Sequence, residues 1–220
     1  MLRPEKGGKH MAGGIFNPEN GIYRSTEKLV DLFLLSVFWL VCCIPVVTIG
    51  PSTAALYNTV TRCIRGNERN SWGMFFRTFR ANLKVGILST LSILPAAVIL
   101  VFLQGLLYQT AGESTGYVLY VAYQVFLLLP LGIFCYVFPV LSRFTFQTGG
   151  LLLNSAKLAI AHLPSTILLG VLLALAVWLC SYLPLLLVIL PALLALVQSV
   201  PLERIFRPYI QAQRGEQEEE

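Results

Sequence analysis

The sequence predicts an all-α membrane protein of about five transmembrane helices with amphipathic interfacial helices beside them. Three observations carry that prediction. Of 220 residues, 56% are hydrophobic and 12% charged, and the mean hydropathy is +0.71, whereas a soluble domain carries about 25% charged residues. The apolar residues gather in blocks close to the ~20 residues that a spanning helix needs. The polar intervals between them are too short to bury a core of their own. The chain therefore reads as one transmembrane domain, 29–201, between a polar leader, 1–28, and a charged tail, 202–220.

Taken in order, the first block, 29–48, carries Trp39 and a single charge, Asp31. Blocks 85–108 and 117–140 are joined by QTAGESTG, so they form an antiparallel hairpin. Residues 165–200 are too many for one straight span across ~30 Å of hydrocarbon. The SYLP at 181–184 divides them into 165–182 and 184–200, with Pro184 in a first turn, where its missing N–H costs little. Pro95, Pro130 and Pro191 fall inside spans, where each frees a carbonyl and bends its helix.

The interval 51–84 reads as a basic interfacial segment. Trp72, Phe75, Phe76 and Phe79 recur at three- and four-residue spacing beside Arg77, Arg80 and Lys84, the pattern of a helix lying in the headgroup region. This face is the candidate contact with lipid or with a cytoplasmic partner. Residues 148–162 form a weaker second example. Loop 50–84 sets six basic residues against Glu68, and 109–116 has none. Positive charge marks the cytoplasmic side, so loop 50–84 and the C-terminus, with Arg204, Arg207 and Arg214, fall inside. Five spans then put the N-terminus outside, although 1–28 hold five basic residues. The alternative is that the first block, broken at Pro45 and again at Gly50 and Pro51, turns back without crossing.

Little in the chain suggests enzyme chemistry. There are two histidines, His10 and His162, and no H-E-x-x-H, G-x-S-x-G or Walker lysine, so no metal or cofactor is implied. Cys42, Cys43, Cys63, Cys135 and Cys180 show no CxxC spacing and read as buried, inert thiols. The net charge of +5 and pI near 9.0 fit topology and inner-face lipid rather than nucleic acid. The candidate intramembrane polar residues are Asp31, Gln104 and Gln124. Asp31, one turn into its helix, either reaches headgroup water, pairs with Lys28 or Arg24, or has a function of its own. The glutamines read as interhelical glue or as the lining of a path.

The run GGIFNPENGIYRSTEKLVDLFLLSVFWLVCCIPVVTIGPSTAALYNTVTRCIRGNE, followed by FFRTFRANLK, resembles the opening of the YesL-like family of small bacterial membrane proteins. The likeness rests on Asn17 to Gly21, the block ending in Pro45, the turn Thr48-Ile49-Gly50-Pro51, and Ala54, Ala55 and Tyr57. It is specific over 13–84 and continues as a helix pattern to about Arg207. Members are uncharacterised and are often encoded beside carbohydrate ABC transporters. The resemblance therefore implies a non-enzymatic accessory of sugar uptake or sensing in a bacterial plasma membrane. Its partners would be membrane lipids, a sugar ABC transporter complex or copies of itself. Loop 50–84 lacks the EAA…G pattern by which an ABC permease contacts its ATPase. A small oligomeric transporter or channel for a small solute is the alternative.

Overall fold

The computed structural model describes residues 21–66, 68, 70–110, 112, 114–144 and 147–218. Most of the leader expected over 1–28, and the last two residues of the tail, lie outside them. The described elements are helical throughout: α1 (Gly21–Cys42), α2 (Ile49–Thr59), α3 (Ser71–Ala81), α4 (Leu83–Thr110), α5 (Ser114–Arg143), α6 (Thr148–Ala161), α7 (Leu163–Tyr182) and α8 (Leu190–Glu218). Short 3-10 turns at Val46–Thr48 and Pro184–Val188 lead into α2 and α8, and α2 runs on as a π-helical stretch, Val60–Arg65.

Among the described residues, three helices are long and apolar enough to cross a membrane: Leu83–Thr110, Thr115–Arg143 and Leu163–Tyr182. Their outward sides leave large apolar residues uncovered, such as Val101 and Phe102 on α4, Val118 and Val125 on α5, and Val177 and Trp178 on α7. Hydrocarbon, not water, is the solvent that such a surface suits. α4 and α5 form a hairpin, fastened where Tyr123 Oη donates to the Leu100 carbonyl at 2.7 Å. α5 and α7 pack antiparallel with Gly132 on the Thr166 backbone and Gly170 on the Leu128 backbone, because small residues let membrane helices approach closely.

The count of five spans is not reached by this measure. α8 carries Glu203, Arg204 and Arg207 close behind its apolar start, and it continues as helix through Glu218. The expected tail 202–220 is thus largely a helix extension, and Leu202, Ile205 and Phe206 are buried in the core. Pro184 opens a 3-10 turn instead of a spanning helix. Pro191 falls in the first turn of α8, a position proline tolerates, and so it does not bend a helix as expected.

The N-terminal part departs furthest from expectation. α1 ends at Cys42, and Thr48 Oγ1 donates to the Cys42 carbonyl at 2.6 Å across the reversal at Pro45. α2 then returns along α1. Trp39 Nε1 donates to Thr53 Oγ1 at 3.1 Å near one end of the pair, and Leu32 and Leu35 share a cluster with Leu56, Val60 and Ile64 further along. The interfacial segment expected over 51–84 therefore divides in two. Residues 51–65 are mostly buried, since Pro51, Ser52, Ala54, Ala55 and Thr59 are small enough to be covered on several sides. α3 is the amphipathic part, with Phe75 buried and Arg77 and Arg80 exposed. α6 buries Leu151, Ser155 and Ala159, one turn apart.

Two apolar clusters meet at α2. Ala54 and Tyr57 join Tyr136 and Val140 of α5, Leu151 of α6, Leu169 of α7, and Leu202 and Phe206 of α8. Ala55, Leu56 and Val60 join Leu32 and Leu35 of α1, Phe75 of α3, and Ala192 and Ala195 of α8. α2 meets α4 and α5 most closely at Gly50, where an added Cβ would overlap Thr90 Oγ1, the Gly86 carbonyl and the Phe138 ring. Gly50→Ala is expected to destabilise by about 1–3 kcal/mol through overpacking, despite alanine's better helix propensity. Gly105→Ala, with open space around it, should not lower the melting midpoint. Thermal unfolding of both variants in detergent checks this.

Candidate functional site

The strongest polar cluster in the bundle ties α2, α5 and α8 together. The last residue of α5, Arg143, reaches Glu203 of α8: Nη2 and Nε donate to Oε1 at 2.7 and 3.1 Å. Arg143 Nη2 also donates to Thr61 Oγ1 at 2.9 Å, and Tyr57 Oη donates to the same Glu203 oxygen at 3.2 Å. Both charged side chains are largely covered, 15% and 20% exposed. The Tyr57 hydroxyl is thus a donor to the carboxylate. Close by, Arg65 Nη1 donates to the Ser199 carbonyl at 2.9 Å and to its hydroxyl at 3.1 Å.

Beside this clamp lies a cavity of about 550 Å³ between α1, α2, α5, α7 and α8. Trp39, Leu56, Phe134, Phe138, Leu173 and Leu194 supply much of its wall. Buried polar groups in its lining include Tyr57, and Gln198, whose Nε2 donates to Cys135 Sγ at 3.5 Å. Among the described residues no carboxylate, histidine, lysine or arginine lines it. Such a lining suits an apolar molecule.

The residues singled out from the sequence take other places. Asp31 Oδ2 accepts from Ser71 Oγ at 2.8 Å, pinning α1 to the start of α3. The side chain of Arg24, one of its expected partners, lies outside the described residues. Gln124 Nε2 donates to Tyr120 Oη at 2.7 Å within its own helix instead of bonding across to another. Gln104 lies between the Tyr108–Tyr120 ring contact, at 5.9 Å, and the Tyr123–Leu100 bond on the α4–α5 hairpin, and Gln124 follows Tyr123 on the same hairpin. Asp31 lies instead on the α1–α3 contact, so the three do not gather around one path.

Phe38 of α1 collects the aromatic residues of α3, with ring centroids 5.7 Å from Trp72, 6.1 Å from Phe75 and 5.4 Å from Phe76. Phe79 stacks on Phe75 at 6.4 Å. Arg77, Arg80 and Lys84 are exposed. Phe75 is thus the ring that holds the helix inward, while Trp72 and Phe76, 51% and 40% exposed, lie along its margin on Phe38. All five cysteines are free thiols, and burial pushes the Cys63 thiol up, which keeps it protonated and unreactive. The described residues contain no group of three or more metal-ligating side chains.

Sequence reasoning singled out neither Glu203 nor Arg143 as a functional residue. The available signal was a charged residue set among apolar ones, in VLSRF and in PLERIF. Removing one partner strands the other in an apolar setting. Arg143→Met and Glu203→Met should each destabilise by about 2–4 kcal/mol. The double variant should lose less than the two together, with a coupling of at least about 1 kcal/mol. Denaturant unfolding in detergent measures this; additive losses would show that the two charges act independently.

No curated protein and no solved structure matches the chain. A family model does match less than half of it, from Leu32 in α1 to Leu103 in α4, and the YesL-like resemblance is consistent with that match: residues 32–103 correspond to the family described as Protein of unknown function, DUF624.

Proposed function

We propose that this is a non-enzymatic multi-pass membrane protein that serves as an accessory to a membrane complex of carbohydrate uptake or sensing. The observation that carries the accessory role is α3. Its aromatic side is fixed on Phe38, and its exposed Arg77 and Arg80, with Lys84 just beyond, form a basic face on a rigid support. A cationic surface held in place suits contact with an acidic partner surface or with anionic headgroups at the cytoplasmic side. The link to carbohydrate rests on the family resemblance. The reading as a small transporter has less support, because Asp31 lies apart from Gln104 and Gln124.

Our topology differs from five spans with an external N-terminus. We place α4, α5, α7 and α8 across the membrane, and α1 with α2 as a hairpin that enters and leaves on the same side. Loop 50–84, the C-terminus and the N-terminus are then all cytoplasmic, which also removes the conflict with the basic residues of 1–28. In a cysteine-free background, Gly112→Cys should react with a membrane-impermeant maleimide in intact cells. Ile15→Cys should react only after permeabilisation. Labelling of residue 15 in intact cells would return the external N-terminus.

For function, a tagged chain purified from its native membranes in mild detergent should bring down sugar-transporter subunits. The triple variant Arg77→Glu, Arg80→Glu, Lys84→Glu should lose them. Recovery of the bare chain alone, together with unchanged growth on sugars in a deletion strain, would remove the proposal.

A further inference from the structure

The cavity has a direction. Its floor is sealed: Tyr57 is 2% exposed, and Ala195 and Gln198 are 8% each. Its rim is open, with Val177 60% exposed, Leu187 39% exposed, and Ser181 exposed between them in sequence. The rim lies at the C-terminal end of α7, a helix apolar enough to cross a membrane. There Trp178 and Tyr182 meet with ring centroids 4.9 Å apart, an aromatic pair of the kind that sits at headgroup level. The mouth therefore opens sideways into hydrocarbon, just below a membrane surface.

We infer that this cavity seats one acyl chain of a bilayer phospholipid, which enters past Val177 and Leu187 and ends against Tyr57 and Gln198. From Leu190 to Gln198, α8 rises about 12 Å, close to the ~15 Å depth of one leaflet's hydrocarbon. The volume of about 550 Å³ falls within the roughly 300–1,000 Å³ of small-molecule sites. Water is a poor occupant, because it needs two to four polar partners. The floor offers few, since Gln198 Nε2 donates to Cys135 Sγ and the Tyr57 hydroxyl donates to Glu203. This inference does not depend on the accessory role or on carbohydrate.

The test uses the full chain in phosphatidylglycerol nanodiscs, with a trace of phosphatidylglycerol that carries a diazirine at the end of one acyl chain. Irradiation should label peptides containing Cys135 or Gln198, and excess unlabelled phosphatidylglycerol should suppress that labelling. In native mass spectrometry after detergent extraction, the unaltered chain should keep one phospholipid. Ala176→Phe and Ala195→Phe, which fill the cavity, should lose it, and Val101→Phe on the outer side of α4 should keep it. Labelling confined to outward positions such as Val101 and Phe102 would overturn the inference without any variant having to fold. A retained lipid in both filled variants, or a dimer that the filled variants break, would overturn it as well.

Discussion

Because Gly50 and Gly86 have no side chains, the start of α2 lies directly against α4, where the Gly50 amide donates to Thr90 Oγ1 at 3.1 Å and Thr90 donates back to the Gly86 carbonyl at 2.8 Å. The rest of the arrangement follows from that approach. With α2 laid on α4, its Ala54 and Tyr57 reach the α5–α8 cluster, and its Ala55, Leu56 and Val60 reach the α1–α3 cluster. One short helix thereby supplies both cores. Small residues suit this position, since helices in lipid associate through packing and hydrogen bonds, with no hydrophobic gain from leaving one apolar medium for another. Asn58 adds such a bond by donating to Thr78 Oγ1 of α3 at 2.8 Å.

The Arg143 clamp explains why α8 continues where the sequence suggested a loose tail. Two charges taken out of water lose solvation that mutual attraction alone does not restore. Here the remaining capacity is used: Arg143 also donates to Thr61, and Glu203 also accepts from Tyr57. These bonds fix Glu203 in register against α2 and α5, so Leu202, Ile205 and Phe206, its neighbours along α8, are buried in the same cluster. Phe206 meets Phe144 edge-on at 5.9 Å, closing α8 on the end of α5.

Much of the fold was legible in the sequence, and the reasons for the exceptions are physical. Long apolar blocks with a short polar link identify α4, α5 and α7, because length and composition alone decide whether a helix suits hydrocarbon. The alternation of aromatic and basic residues over 72–84 identifies α3 in the same way. α2 was not legible. Its small and hydroxylated residues, PSTAALYNT, give neither an apolar block nor a stripe, and their burial depends on partners distant in the chain. The same holds for the site: the cavity is bounded by five helices, and no local pattern records a gap between elements. Asp31 and Gln124 stood out as expensive groups in lipid, yet their partners, Ser71 and Tyr120, are local structural ones.

The cavity itself traces back to how α8 begins. After α7 ends at Tyr182, Pro184 cannot donate into a continuing helix, and the chain runs through a 3-10 turn in which Leu185 is 82% exposed. α8 starts at Leu190 with its first turn fastened to α1: Ser36 Oγ accepts from the Ala192 amide at 3.2 Å and donates to the Ile189 carbonyl at 3.3 Å. That attachment draws the start of α8 toward α1 while α7 stays on α5 through Gly132 and Gly170. Farther down, Arg143 and Glu203 hold α8 to α5. The helices are thus joined below and parted above, and the space left between them is largely apolar because aliphatic and aromatic side chains make up most of its lining. A gap made this way is a property of the bundle's two anchor points, so its width is set by the Ser36 contact and the Arg143 clamp together.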